Sequence, residues 1–439
     1  MKKLRILIIV TLIIIIVSLC TIIFLKYKEN NVDTDIDVSD YDANMEKNEK
    51  EELNEREQKD MVYTVEQCVN SYLDVINTNN SIYYGTNENG ELIKLVNENE
   101  SIYNILSNKF KTQNNISIDN IENYVEKQES DVFFIPLDMK YIKNDNLIKY
   151  LTHGYITDSG YNYIKDIILI VNLDFDNNTF SIEPVDDEAD FDNFELDKND
   201  MEQIEKNNNN VFKYVQATQE EISKKYLDYF KKMALSNTEE LYNYLNEEYR
   251  DKRFENLENF QKYIENNRDT IKTLTLQKYL LNSYEGYDEY VCTDELENLY
   301  IFREYGPLDY EILLDTYTIP TEKFKETYDK SGDQYKVAMN VDRWIQMINN
   351  RDYKTAYSYL DETFRNNNFG SEEAFEQYMR ERYPSHYDFE LGESTETNGT
   401  YTQTIDLTDI LGEDGAVIEN TIIMQLLDNY EFVMSFGVN

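Results

Sequence analysis

The chain has 439 residues, 41% of them hydrophobic and 13% aromatic, enough for two to four domains with cores of their own. That excludes a wholly disordered protein. A net charge of −44 repels phosphate backbones, so nucleic acid is not an expected partner, and anionic lipid or wall polymers should be repelled as well.

The first residues, "MKKLRILIIVTLIIIIVSLCTIIFLKYK", start basic and then run uncharged from Ile6 to Leu25. About 20 apolar residues match one bilayer core, and no small-residue cleavage site follows. Leu19 before Cys20 is too bulky for lipoprotein processing. Residues 1–28 therefore read as an uncleaved signal anchor with flanks, crossing the membrane once through residues 6–25. Lys2, Lys3 and Arg5 outweigh Lys26 and Lys28, so the positive-inside rule places the N-terminus in the cytoplasm and the rest outside the cell membrane. Residues 29–60 read as an acidic stalk, its Glu- and Lys-rich second half helical and continuous with "MVYTVEQCVNSYLDVIN".

Beyond the stalk the chain repeats itself. "LYNYLNEEYRDKRFENLENFQKYI" at 241–264 returns without gaps as "AYSYLDETFRNNNFGSEEAFEQYM" at 356–379. Tyr242, Leu245, Arg250, Phe254, Glu258, Phe260 and Tyr263 fall on Tyr357, Leu360, Arg365, Phe369, Glu373, Phe375 and Tyr378. A fainter copy, "IYNILSNKFKTQNNISIDNIENYV" at 102–125, aligns Tyr103, Leu106, Lys111, Ile121 and Tyr124 with the same pattern. Tyr242, Leu245 and Tyr249 share one helical face, so the stretch reads as a helix, a turn and a second helix. Ser117, Asn256 and Ser371 are the expected N-caps of that second helix, with Asp119, Glu258 and Glu373 in its first turn. An earlier helix precedes each copy, aligned on Tyr72, Tyr229 and Trp344. The first copy also holds an insertion, "SIYYGTNENGELIKLVNENE", read as an extended loop or hairpin.

After its helices each copy turns strand-like. "DIILIVNLDF" and "TFSIEPV" follow in the first, "LYIFREY" and "YEILLDTYTI" in the second, and "YTQTIDL", "NTIIMQLL" and "YEFVMSF" in the third. Turn residues between them predict antiparallel hairpins. Each unit is thus three helices followed by a sheet of three or four strands, an α+β domain. The expected units are 61–185, 211–319 and 334–439, joined by an acidic linker at 186–210 and a helix-like linker at 320–333.

This order of elements resembles the NTF2-like superfamily, whose members pack three helices into the concave face of a curved antiparallel sheet to make a cone. The resemblance spans residues 61–439 in three units. With the anchor, it implies an extracytoplasmic protein of the kind found in low-GC Gram-positive bacteria. Such domains act there as non-catalytic parts of larger assemblies or as accessory domains of wall enzymes.

Candidate chemistry is sparse. His153 and His386 lie in different units at non-equivalent positions, without a partner indicated for general-base work. Cys20, Cys68 and Cys292 have no metal-like spacing, and "DFDNN" and "DKNDMEQIE" lack a calcium-loop register. No hydrolase, zinc-protease or nucleotide-binding motif occurs. Superfamily enzymes place an acid or base at the mouth of the cone, which draws attention to Asp119, Glu258 and Glu373. Their helix first-turn position accounts for them without catalysis. Lys111, Arg250 and Arg365 read as salt bridges near a helix end, and Tyr242 and Tyr263 as core rather than pocket lining. No catalytic, cofactor or metal residues are assigned. The leading expectation is a membrane-tethered, extracytoplasmic interaction or scaffold protein that engages a membrane or cell-wall protein. The alternative is an enzyme or small-molecule binder using the cone pocket of one unit.

Overall fold

The computed structural model describes residues 53–439 apart from 81–83, 87–91, 95–97, 186–188, 202–203, 205–209, 412–416 and 439. The expected anchor at 6–25 and most of the stalk lie outside the described residues. No helix among the described residues is long and apolar enough to cross a membrane.

The architecture is mixed α+β, with three four-stranded antiparallel sheets, each preceded by its own helices. The first repeat begins with α1 (Glu55–Asn80), then a two-stranded hairpin of β1 (Tyr84–Thr86) and β2 (Leu92–Lys94) inside the insertion. Three short helices follow, α2 (Asn99–Ile105), α3 (Asn108–Gln113) and α4 (Ile121–Val125). The sheet is β3 (Val132–Asn144), β4 (Leu147–Asp158), β5 (Tyr163–Asp174) and β6 (Thr179–Pro184), paired in chain order. In the second repeat α5 (Gln219–Ser236), α6 (Thr238–Asn243), α7 (Glu247–Arg253), α8 (Leu257–Asn266) and α9 (Arg268–Lys272) precede β7 (Lys278–Tyr284), β8 (Tyr287–Thr293), β9 (Leu299–Gly306) and β10 (Asp309–Leu313). A linking helix, α10 (Glu322–Lys330), opens on the Thr321 cap. The third repeat has α11 (Asp333–Asn349), α12 (Tyr353–Ser358), α13 (Glu362–Asn368) and α14 (Glu372–Arg382) before β11 (Tyr387–Thr397), β12 (Thr400–Asp409), β13 (Val417–Leu426) and β14 (Phe432–Phe436).

One local device recurs three times. The helix expected through Tyr242, Leu245 and Tyr249 is broken at Leu245. Leu106, Leu245 and Leu360 leave the helix to make parallel bridges with Ile182, Ile312 and Met434 on the last strand of their own sheet. The next residue donates its backbone N–H to that strand, Ser107 to Ile182 at 2.8 Å, Asn246 to Ile312 at 3.1 Å and Asp361 to Met434 at 2.7 Å. The side chains of the same three residues then cap α3, α7 and α13, accepting from the N–H of Phe110, Tyr249 and Phe364. One polar residue thus ends the bridge and starts the helix, which a short Ser, Asn or Asp side chain does well. The expected caps Asn256 and Ser371 are in place on α8 and α14. Ser117 is not. Its backbone N–H donates to Asn120 Oδ1 at 2.7 Å in a turn that delays α4.

The repeated aromatics form matching clusters. Tyr242 meets Phe260 at 5.6 Å and 43°, and Tyr357 meets Phe375 at 5.5 Å and 43°. Lys111, Arg250 and Arg365 sit over the rings of Tyr103, Tyr242 and Tyr357 at 4.4, 5.0 and 5.4 Å. The recurrent basic residue therefore serves mainly as a cation on an aromatic face. Arg250 also reaches its neighbour Asp251 at 3.4 Å.

Both linkers carry structure. Phe191, in the acidic linker, is buried against Leu151, Ile168 and Ile170 on the side of the first sheet opposite its helices. The folded region starts before residue 61: Leu53, Lys59 and Asp60 are all buried. The first turns of α1 serve the second repeat, because Val62 and Tyr63 share a core with Tyr226, Tyr290 and Phe302.

Candidate functional site

The interior of each repeat, between helices and sheet, is where the cone reading would place chemistry. In the first it is filled by α1 and sheet residues such as Val69, Tyr72, Phe134 and Val171. Tyr72 and Tyr124 share a hydroxyl–hydroxyl hydrogen bond of 2.6 Å there. In the third it is filled by Trp344, Phe375, Met424 and Phe436. Arg343, 1% exposed, is also buried in the third, donating to the carbonyls of Tyr317 and Tyr430. The second holds a buried ion pair. Glu304 on β9 is buried, and Lys59 reaches it from α1 of the first repeat at 3.0 Å and Asp288 at 3.1 Å. Burial raises the Glu304 pKa, with Lys59 and the Tyr226 hydroxyl pulling it only part of the way back. Burial alone would lower the Lys59 ammonium, but Glu304 and Asp288 together outweigh it and leave it above its ordinary value. The same helix buries Glu66, which accepts from Tyr229 Oη at 2.7 Å and pairs with Lys225 at 2.7 Å. Ile135 and Tyr155 of the first sheet complete this shared core, and Tyr155 Oη meets Ser236 Oγ at 3.0 Å.

A roomier space lies elsewhere. A cleft of 710 Å³ separates the second and third repeats. Its floor is the buried pair of Arg253 and Asp352 at 3.1 Å, with Asp315 at 3.6 Å from the same guanidinium. Asp315 accepts from Tyr249 Oη at 2.7 Å and from the Thr318 N–H at 2.8 Å. Burial raises its pKa, and Arg253 opposes that rise most strongly. One wall is α8, with Asn259, Lys262 and Tyr263. The other is built by the end of α11, the start of α12 and α14, carrying Arg351, Lys354 and Arg380. Lys354 pairs with Glu255 across the joint. Arg351, in the left-handed region at φ 56°, gives its N–H groups to the carbonyls of Tyr383, Pro384 and Ser385.

A second cavity, of 280 Å³, lies in the same joint, between sheet two and α11. Asp342 faces it. Burial, assisted by Asp388 and Glu297, lifts its carboxyl to about 6, while Gln346 Nε2 donates to it at 2.6 Å and resists the rise. His386 borders both cavities, and burial lowers its pKa.

The sequence-derived candidates do not converge. His153 lies in the first sheet against the Phe191 ring at 5.4 Å, within a 340 Å³ hollow lined also by Asp138, Asp166 and Asp190. It is far in the chain from His386, and none of the three carboxylates expected in a helix first turn lines a described cavity, Asp119 lying before its helix rather than in it. Glu258 is exposed and paired with Lys262 at 2.8 Å, and Glu373 is exposed at the start of α14. Asp119 is exposed in the turn before α4. Among the described residues no group of three or more His, Cys, Asp or Glu side chains is arranged to hold a metal ion. Cys68 and Cys292 are buried free thiols.

Lys59, Glu304, Arg253 and Asp342 were not singled out by the sequence. Each owes its setting to a neighbouring repeat, and no periodicity within one unit marks that. Comparison with models of known protein families and with curated proteins finds no match for the chain.

Proposed function

We propose that the chain is a membrane-tethered, extracytoplasmic scaffold of three NTF2-like units that works by binding a membrane or cell-wall protein rather than by catalysis. What carries this reading is the content of the repeat interiors. Each is packed with aromatic and aliphatic side chains, the second with help from Val62, Tyr63, Ile135 and Tyr155 of the first, and Glu304 inside the second is ion-paired by Lys59 of the first. A cone closed in this way leaves the outer surfaces and the joints as the working parts. The tether is residues 6–25, and three linked domains on one anchor raise the effective concentration for an extended partner. A net charge of −44 argues against nucleic acid as that partner.

The test is protease shaving of intact cells that express the full chain with a C-terminal tag. Loss of the tag without lysis supports the reading. A tag cleaved only after the membrane is broken would reverse the proposed orientation.

A small-molecule or enzymatic role is the second reading. The observation favouring it is Asp342, with a carboxyl near 6, sharing a cavity with His386. That cavity is between repeats, so this version departs from a cone-based active site. Survival of every ligand-dependent signal in Asp342→Asn would dispose of it.

A further inference from the structure

The chain carries 86 acidic and 42 basic residues, a ratio of about two to one. The cleft between the second and third repeats reverses it. Its lining has the cations Arg253, Lys262, Arg351, Lys354 and Arg380 against the carboxylates Glu255 and Asp352. These cations come from both walls and the floor, so they surround the space rather than tile one surface. We propose that this cleft binds a small polyanion carrying two or more carboxylate or phosphate groups.

Three features support the assignment. The volume, 710 Å³, falls within the range of about 300–1,000 Å³ usual for small-molecule sites. Two of the cations are readily available, because among the described residues the ion pairs of Lys262 and Arg380 are with Glu258 and Glu376 on their own helices, at exposed positions, although Arg380 also lies over the Tyr353 ring at 5.1 Å. Such exposed pairs are weak and exchange readily for a better anion. Arg351 adds a fixed charge. Its N–H groups are held by carbonyl oxygens, and no carboxylate lies within ion-pair distance of it among the described residues. An excess of one sign of charge around a cleft focuses its field inward. The acidic surface outside sets the size limit: a long polyanion would be repelled wherever it left the cleft, while a ligand enclosed by it would not. This inference does not depend on the scaffold reading.

The experiment is isothermal titration of the full-length chain in detergent micelles with citrate and, separately, tripolyphosphate. One saturable site is expected, weakening several-fold as NaCl rises from about 50 to about 300 mM because the contacts are electrostatic. Preference for citrate identifies a carboxylate ligand, and preference for tripolyphosphate a phosphate ligand. The triple variant Lys262→Glu, Lys354→Glu, Arg380→Glu should weaken binding at least about tenfold. Lys262→Gln alone, which leaves the Lys354–Glu255 pair intact, should weaken it about threefold with unchanged melting. The control Lys224→Glu, Lys325→Glu, Lys330→Glu alters net charge equally, away from the cleft, and should bind as the native chain does. Saturation by neither anion, or equal weakening in both triple variants, would overturn the proposal.

Discussion

Lys59→Met is the substitution that most sharply probes how the first two repeats are joined. Lys59 is 8% exposed in its side chain and Glu304 is 3% exposed, with 3.0 Å between their charged atoms. Methionine keeps the apolar stem and removes the charge, leaving Glu304 buried without its cation. Breaking a buried pair in this way costs about 3–5 kcal/mol. The effect has a pH signature. The folded pKa of Glu304 is already raised, so its carboxyl binds a proton more tightly folded than unfolded. Its stability contribution is therefore fullest at low pH and lost as pH rises from about 4.3, the unfolded value, through the folded one. Without Lys59 that folded value moves higher still. The variant should lose more stability at pH 8 than at pH 5 in urea unfolding followed by circular dichroism. Lys59→Met with Glu304→Gln should recover most of the loss. A cost below about 1 kcal/mol at pH 8, or an equal cost at both pH values, would refute the reasoning.

Other expectations follow from the same contacts. A chain beginning at Met61 should melt well below one beginning at Leu53, because it lacks the buried Leu53, Lys59 and Asp60; differential scanning calorimetry compares them directly. Asp342→Asn should stabilise the third repeat above pH 6, progressively less as pH falls, and leave it unchanged below about pH 3. The native carboxyl, lifted to about 6, carries as pH rises through that value a half-buried charge that Gln346 alone compensates only in part. The fluorescence of Trp344, the chain's single tryptophan, reports the transition. Asn246→Ala and Asp361→Ala, each removing a cap that begins where a strand bridge ends, should each destabilise by about 1 kcal/mol in chemical denaturation.

The repeat was legible because its spacing is local and its aromatics face inward in every copy. Tyr72, Tyr229 and Trp344, aligned from sequence, are all buried in long helices. The strands rich in Ile, Val and Phe were legible for the same reason, and the insertion does hold a hairpin. The first strand of each sheet was harder to see, as were β4 and β8. β11, "YDFELGESTET", is mostly exposed and carries four acidic residues, so nothing apolar alternates strongly along it. The break at Leu245 was hidden because a leucine at helical spacing also satisfies a bridge to the last strand. The joints were the least legible part. Phe191 lies in a stretch of acidic character, and Arg253 looks like one more charge at the end of α7 until Asp315 and Asp352 are brought to it by folding. Long-range ion pairs of this kind leave no period in the sequence.

The account rests on repeats that act through their surfaces outside the membrane. The most direct measurement is cross-linking of intact cells with a membrane-impermeant, amine-reactive reagent, followed by purification of the tagged full chain and mass spectrometry. The account predicts cross-links from lysines of residues 53–439 to a membrane or cell-wall protein, lost when residues 6–25 are removed. Repeats left unmodified in intact cells, and joined only to cytoplasmic proteins after lysis, would contradict it.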